Sequence, residues 1–136
     1  IYYSKRGIQI ALEFDKKFKK YEINGIENRI EQILANLLEN SISFSENNKK
    51  IIVKLSKNKN NNVTLDVIDE GIGFKEKDTN KIFKRFYSNR PDKFGEHSGL
   101  GLNIVKNLVE LHNASIKATN RKDQKGASME IIFPKV

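Results

Sequence analysis

Cysteine is absent from the 136-residue sequence, and so is any long apolar run. Neither a disulfide framework nor a thiolate metal site can therefore form, which is compatible with a reducing cytoplasm. No apolar stretch approaches the length needed to span a bilayer, and the opening residues Ile1, Tyr2, Tyr3 and Ser4 do not resemble a signal peptide. The chain also lacks an initiating methionine, so we expect it to be a fragment of a longer protein.

Basic residues outnumber acidic ones, giving a formal net charge of +8. Nucleic acid, an anionic membrane surface or a polyphosphate ligand would each suit this excess, because each is a concentrated negative field. The lysines are nevertheless scattered among acids and asparagines, and no predicted helix carries a continuous basic stripe with interleaved aromatic residues. We therefore rank nucleic-acid binding last and expect no nucleic-acid partner.

Apolar periodicity predicts the elements of the first half of the chain. Residues 7–14 alternate, with Ile8, Ile10, Leu12 and Phe14 on one face of a predicted strand, and residues 21–23 could form a short second strand. Residues 27–43 change to helical spacing, and their apolar face is formed by Ile30, Ile33, Leu34, Leu37 and Leu38.

The second half begins with a predicted hairpin of residues 51–55 and 63–68. Short and long helices are predicted over residues 81–86 and 100–112, on either side of a mobile loop over residues 87–98, and strands follow over 115–120 and 127–133. We expect residues 1–136 to form one domain, an α/β sandwich with helices on one face of a mixed sheet. The other face would stay wet or meet a partner.

Three groups of residues could carry chemistry. Asn36 and Asn40 lie four apart on the predicted helix, so both amides project from one side, where their oxygens could complete the shell of a Mg²⁺ ion bound to a triphosphate. Taken alone, a solvated asparagine pair is the more frequent reason for this spacing.

The second group follows a predicted strand. Asp69 at the strand end could accept a hydrogen bond from an exocyclic amine such as that of adenine, and Gly71 and Gly73 permit unusual backbone angles and close approach of a flat ring. An ordinary turn has the same composition.

The third group, Ser98-Gly99-Leu100-Gly101-Leu102, opens a helix whose free amides could meet phosphate oxygens, although a flexible loop would have the same sequence. Upstream of it, Arg85, Arg90 and Lys93 are candidate contacts for the terminal phosphates.

Taken in order, these groups resemble the boxes of the ATP-binding catalytic domain of sensor histidine kinases, in the superfamily that includes DNA gyrase. Residues 31–40 are similar to the N box, 69–73 to the G1 box, 81–86 to the F box and 99–102 to the G2 box, and Gly126-Ala127-Ser128 to the glycine that opens the last strand. The resemblance covers nearly the whole chain. It is greatest to membrane sensor kinases that control envelope and acid-stress responses.

The resemblance implies a left-handed α/β sandwich, the Bergerat fold, with the nucleotide under a lid at residues 87–98. It implies ATP and Mg²⁺ as cofactors, with Asn40 and Asn36 as metal ligands, and Asn36, Asn40 and Arg85 as catalytic residues. The nucleotide-binding residues that it implies are Asn36, Asn40, Asp69, Gly71, Gly73, Ile82, Phe86, Gly99, Leu100, Gly101, Leu102 and Ser128.

The sequence departs from the family pattern at two positions. Ser43 stands where many members have a phosphate-contacting lysine, and His97 stands where glycine is frequent. The first helix would then lack one phosphate contact, for which Arg85 or a lid cation is the candidate replacement.

We expect the residue that attacks the phosphate to lie outside this chain. Gyrase-type relatives carry a general-base glutamate four residues before the metal-binding asparagine, but that position is Asn36, so strong ATP hydrolysis is disfavoured. Neither His97 nor His112 is followed by the acidic residue that flanks the phosphoacceptor in the family, and both are interpreted as structural or incidental. We expect the fragment to bind ATP but to autophosphorylate little by itself.

The expected partners are a dimerisation and histidine phosphotransfer domain of the same kinase and a downstream response regulator. The isolated domain is expected to be a monomer, and the whole protein a homodimeric inner-membrane sensor with this domain in the cytoplasm. Two alternatives remain open: a nucleotide-binding regulator without catalysis, and a serine kinase of the anti-sigma type.

Overall fold

The computed structural model describes residues 2–3, 6–74, 79–84 and 101–136. Within these ranges the chain forms, in order, strands β1 (Tyr2–Tyr3) and β2 (Ile8–Phe14), helix α1 (Glu27–Phe44), strands β3 (Lys50–Lys57) and β4 (Val63–Ile68), a short 3-10 helix (Thr79–Phe83), helix α2 (Gly101–Leu111), and strands β5 (Ser115–Asn120) and β6 (Ala127–Phe133).

The strands form one mixed sheet in the order β1-β2-β3-β4-β6-β5. Strands β2 and β3 are parallel, because helix α1 carries the chain back across the sheet between them, and every other neighbouring pair is antiparallel. The predicted sandwich on a mixed, largely antiparallel sheet is therefore confirmed.

The core lies between one face of the sheet and both helices. Val53, Val67 and Met129 are aligned across three neighbouring strands and are buried. Ile33 of α1 and Val105 of α2 are fully buried in the same apolar cluster, so both helices cover this face. The opposite face carries a row of charged residues aligned by the strand register, namely Lys54, Asp66, Glu130 and Lys117.

The ends of α1 are held by distant side chains. The N-cap residue Ile26 makes no side-chain cap, and its N–H instead donates to Nε2 of His112 at 3.1 Å. At the other end, the Arg6 guanidinium donates to the carbonyl oxygen of Ile42 in the last turn and to that of the C-cap residue Ser45. The helix that carries the asparagine pair is thus fixed at both ends.

Most predicted elements have the expected bounds, but two features of the first half differ. Residues 21–23 form no strand; the Tyr21 hydroxyl donates to the Asp15 carbonyl and its ring packs against the core. Leu12 and Phe14 share the core face with Ile8 but are 58% and 52% exposed, because neither helix covers that end of β2.

Among the described residues, no helix is long and apolar enough to cross a bilayer.

Candidate functional site

Asn36 and Asn40 lie on the side of α1 that faces α2. Asn36 is half-buried, and its Nδ2 is 3.5 Å from the Gly101 carbonyl oxygen at the start of α2, at the limit of a hydrogen bond. The amide oxygen of Asn36 accepts no hydrogen bond from the described residues. Asn40 is one turn further along and is only 4% exposed. Two of the predicted groups, the asparagine pair and the beginning of α2, therefore meet.

Asp69 follows β4 directly and is buried, with 4% of the residue exposed. Its Oδ1 accepts hydrogen bonds from the N–H groups of Gly71 at 2.9 Å and Ala127 at 3.1 Å. Its Oδ2 accepts none from the described residues. Desolvation raises the pKa of the Asp69 carboxyl, and the two backbone donors, together with Arg121 and Ser41, oppose that rise.

The two glycines after Asp69 make room for protein atoms. A Cβ on Gly71 would lie 2.5 Å from the Phe44 carbonyl oxygen, so the loop presses against the last turn of α1. Gly73 has a φ of +77°, and a Cβ there would lie 2.7 Å from Oδ1 of Asn120. The unusual backbone angle predicted for this loop is present at Gly73.

The end of β5 and the loop that follows it hold the Asp69 segment from the other side. Asn120 donates to the Phe74 carbonyl oxygen at 3.1 Å and accepts from the Phe74 N–H at 2.6 Å. Arg121 donates to the Asp69 carbonyl oxygen at 3.2 Å while its guanidinium also pairs with Asp123. These residues were missed in the sequence, where Asn-Arg-Lys-Asp indicates only a turn between strands.

Gly126 completes this contact immediately before β6. Its φ is +137°, and a Cβ there would lie 2.1 Å from the Asp69 carbonyl oxygen. The glycine that the sequence marks as opening the last strand is therefore required by the close approach of two backbones.

The remaining predicted site residues do not lie beside Asn36 or Asp69, or they fall outside the described residues. Ile82 and Leu102 are buried within the apolar core. Ser128 is aligned with Ile68 on the side of the sheet opposite the helices, so it is not brought together with Asn36. Its neighbour Ala127 contacts Asp69 instead. The predicted residues Arg85, Phe86, Gly99 and Leu100, and with them Arg90, Lys93, His97 and the lid, lie outside the described residues.

His112 lies away from this site, beside a cleft of about 430 Å³ at the far end of α2, whose lining includes Gly25, Leu111 and Pro134. Its Nδ1 is 2.7 Å from the Leu108 carbonyl oxygen, and its Nε2 faces the Ile26 N–H. The neutral ring with the proton on Nδ1 satisfies both contacts. Both ring nitrogens therefore serve the fold, as expected for a structural histidine.

The site has features that suit an adenine nucleotide. The hydroxyl of Ser41 is buried beside the Asp69 carboxylate, and no hydrogen bond of normal geometry reaches it in the described part of the chain. Buried polar atoms are rarely left unpaired in the absence of a role. A carboxylate that accepts an amine hydrogen and two neutral amide oxygens near a helix start are donor sets appropriate to adenine and to a phosphate-bound Mg²⁺.

This arrangement defines the chain as an ATP-binding α/β domain, and comparison with known proteins gives the family. Residues 25–136 match the family of histidine kinase-, DNA gyrase B- and HSP90-like ATPases, to which the chain belongs.

The relatives are sensor kinases. The chain is 39% identical over 128 residues to the sensor protein ChvG of Agrobacterium fabrum, covering 90% of this chain and 21% of that protein. It is 37% identical over 123 residues to the histidine-protein kinase ArlS of Staphylococcus aureus, covering 88% and 26%. The chain thus spans about a fifth to a quarter of the length of these relatives.

A solved structure agrees with the fold. The histidine kinase ThkA in complex with the response regulator TrrA superposes with a TM-score of 0.77 at 26% identity, over 97% of this chain and 35% of that one. The resemblance to the ATP-binding domain of sensor histidine kinases is thereby confirmed.

Proposed function

We propose that the site binds Mg-ATP and positions its γ-phosphoryl group for transfer to a histidine on a dimerisation domain of the same kinase. The observation that carries the proposal is the buried Asp69 carboxylate, whose Oδ1 is fixed by two backbone N–H groups while Oδ2 is left to accept from a ligand. A buried acceptor of this kind favours a ligand with an amine hydrogen over one without it.

The residues of α1 would hold the metal. The amide oxygens of Asn40 and Asn36 are the proposed ligands, and the contact between Nδ2 of Asn36 and the Gly101 carbonyl supports an orientation that frees the Asn36 oxygen. When bound, Mg²⁺ neutralises charge on the phosphate oxygens during transfer. Gly101 is half-buried, and a Cβ there would meet no described atom within 4 Å, so this helix start has room for a phosphate.

The chain by itself would be a poor hydrolase. An amide at position 36 cannot accept the proton of an attacking water, and both ring nitrogens of His112 are engaged in the fold. The proposed acceptor is therefore a histidine outside this sequence. Arg85, Phe86, Gly99 and Leu100 remain proposed nucleotide contacts, and so does Ser128, although its position opposite the helices gives it no support.

The partners and the location are proposed from the relatives. ThkA has been solved with a response regulator, and we propose a response regulator as the downstream partner of this kinase. ChvG and ArlS are named sensor or signal-transduction proteins, which supports a membrane sensor with this domain on the cytoplasmic side. We propose that the isolated domain is a monomer. The whole kinase would form a homodimer through its dimerisation domain.

Calorimetry with Mg-ATP and Mg-GTP on the 136-residue chain tests the binding step. Asp69→Asn keeps Oδ1 for the two backbone donors but replaces Oδ2 with an NH₂ group, so we expect at least a tenfold loss of ATP affinity and of the preference for ATP over GTP. Asp66→Asn is the matched control, since it makes the same charge change on the other face of the sheet. Equal ATP affinity for Asp69→Asn and the wild type would contradict the proposal.

The transfer step is tested by adding the dimerisation domain. Acid-labile phosphate should form on that domain only when both proteins and Mg-ATP are present. Acid-stable phosphate would favour the serine kinase instead, and ATP binding without any phosphoprotein would favour the nucleotide-binding regulator.

A further inference from the structure

The fold gathers lysines that are scattered in the sequence at one end of the sheet. The candidate nucleotide site is at the other end, where Asp69 follows β4 and Gly126 precedes β6. The lysines lie where β2 and β3 end and β4 begins. We call this surface the basic end, and it is formed by Lys16, Lys17, Lys19, Lys20, Lys57 and Lys135.

An aromatic ring and a cleft join these lysines into one surface. Nζ of Lys17 lies 5.7 Å from the centre of the Phe18 ring, and Nζ of Lys57 lies 5.3 Å from it. Lys57 also lines a cleft of about 410 Å³ together with Lys20 and Lys135. Lysines from three separate parts of the chain therefore present their charges side by side.

Little negative charge offsets the basic end. Glu22 lies 3.8 Å from Lys20, and no other carboxylate pairs with these lysines within the described part of the chain. The nearby Asp15 carboxylate already accepts from the Lys17 N–H at 3.1 Å and from the Ser56 hydroxyl at 3.3 Å. The ammonium groups therefore repel one another in the free protein and favour an anionic partner.

Two exposed apolar side chains adjoin the basic end. Leu12 and Phe14, at the end of β2, are each more than half exposed. The turn that carries Lys16 and Lys17 follows Phe14 directly and is closed by a hydrogen bond between backbone groups. Apolar side chains rimmed by lysines are typical of surfaces that bind where apolar and anionic groups meet.

This combination distinguishes between anionic partners. A nucleic acid would neutralise the lysines, but its phosphate backbone offers nothing to Leu12 and Phe14. An anionic bilayer offers phosphate groups to the ammonium groups and an acyl region to the apolar side chains. Lysine stems can also lie along apolar surface while their charged ends reach the headgroups.

We propose that the basic end docks on an anionic phospholipid bilayer, with its lysines at the headgroups and with Leu12 and Phe14 at the boundary of the acyl chains. The candidate nucleotide site at the opposite end of the sheet stays accessible in this orientation. Docking of this kind gives the domain a membrane contact of its own and does not depend on the proposed nucleotide binding.

The test is co-sedimentation of the 136-residue chain with vesicles. One set contains phosphatidylglycerol and phosphatidylcholine, and the other contains phosphatidylcholine alone. We expect the chain to bind the first set and not the second, and to bind less as the salt concentration rises, because salt screens the charges.

The contribution of the lysines is measured with a triple variant, Lys16→Gln, Lys17→Gln and Lys20→Gln. Its partitioning onto the anionic vesicles should fall at least tenfold, since each lysine near such a surface contributes about fivefold.

The matched control removes the same charge at the opposite end of the sheet, through Lys49→Gln, Lys50→Gln and Lys122→Gln. These lysines are also exposed, so the control lowers the net charge equally without changing the basic end. Its partitioning should fall by less than about threefold, because these charges lie far from the bilayer and are screened.

The apolar contact is measured with the double variant Leu12→Ser and Phe14→Ser. We expect at least fivefold weaker partitioning at constant charge, because these side chains no longer gain from leaving water. Thermal unfolding of every variant should show that the fold is kept, since all the substituted side chains are exposed.

Failure of the wild-type chain to bind the anionic vesicles would overturn the proposal, and so would equal losses in the two lysine variants. Unchanged partitioning of the double serine variant would reduce the interaction to general charge attraction and overturn the docking orientation. None of these results bears on Mg-ATP binding, which calorimetry measures separately.

Discussion

The side chain of Asn120 binds both backbone groups of Phe74, accepting from its N–H at 2.6 Å and donating to its carbonyl oxygen at 3.1 Å. The Asn120 side-chain amide thus supplies the segment that follows Asp69 with the hydrogen bonds that a neighbouring strand would otherwise make. This segment has no ladder partner of its own, because β4 ends at Ile68. The position of the candidate adenine site therefore depends on the last residue of β5, 46 residues further along the chain.

Asn120→Ala should loosen the loop after Asp69. We expect faster hydrogen exchange at the Phe74 amide and a few-fold loss of ATP affinity, because both backbone groups of Phe74 lose their partner. Exchange measured by NMR or mass spectrometry reports the first effect, and calorimetry the second. Thr119→Ala, on the adjacent exposed residue of β5, is the control and should change neither quantity. Unaltered exchange at Phe74 in Asn120→Ala would show that the Asn120 side chain does not hold this loop.

Gly71→Ala should lower the free energy of unfolding by about 2 kcal/mol, because a Cβ would collide with the Phe44 carbonyl oxygen at 2.5 Å. Chemical denaturation of the chain measures the change. Gly101→Ala is the comparison, since a Cβ at this position meets nothing described within 4 Å and alanine favours a helix. We expect Gly101→Ala to retain or gain stability. Equal losses for the two variants would show that the contact with α1 is not tight.

Asp66 should make stability depend on pH. Desolvation and the facing carboxylate of Glu130 raise the pKa of Asp66 from 3.8 to about 6, while Lys54 opposes the rise. Because the pKa is higher in the folded state, this group favours folding most below about pH 4, and that contribution is lost as the pH rises through about 6.

Asp66→Asn should therefore raise the free energy of unfolding at pH 7.5 by about 1 kcal/mol and change it little at pH 4; the value is modest because the side chain is only half-buried and solvent screens the charges. Urea titrations at the two pH values measure it. Glu130→Gln removes the other charge of the pair and should act in the same direction. A gain for Asp66→Asn that is as large at pH 4 as at pH 7.5 would argue against a raised pKa of Asp66.

His112→Phe should weaken the link between the two helices. The Ile26 N–H and the Leu108 carbonyl would both lose a partner, so we expect the free energy of unfolding to fall by about 1 kcal/mol and the first turn of α1 to exchange faster. Leu111→Ala, on the neighbouring residue that is 59% exposed, should change stability by less than about 0.5 kcal/mol. A phosphohistidine on the isolated chain that disappears in His112→Phe would contradict the structural role.

The sequence predicted which elements form because burial leaves a local periodic pattern. Ile33 and Leu37 repeat at helical spacing and both are fully buried, and the strand Val63–Ile68 was predicted to the residue. The pattern failed where no element covers a face, as at Leu12 and Phe14, since alternation gives the side of a strand and not what packs on it.

For the candidate site, too, the sequence predicted one part and the tertiary structure decided the other. The sequence by itself determined the chemistry of the proposed ligand-binding groups, because Asn36, Asn40 and Asp69 carry functional groups appropriate to a metal-bound nucleotide wherever they lie. Only the tertiary structure decided what holds them, and which side-chain oxygens of Asn36 and Asp69 accept no hydrogen bond from the described residues. Asn120 meets Phe74 and Arg121 meets Asp69 across 46 and 52 residues of sequence. Such contacts depend on how the strands come together in the sheet, and the local sequence does not specify that meeting.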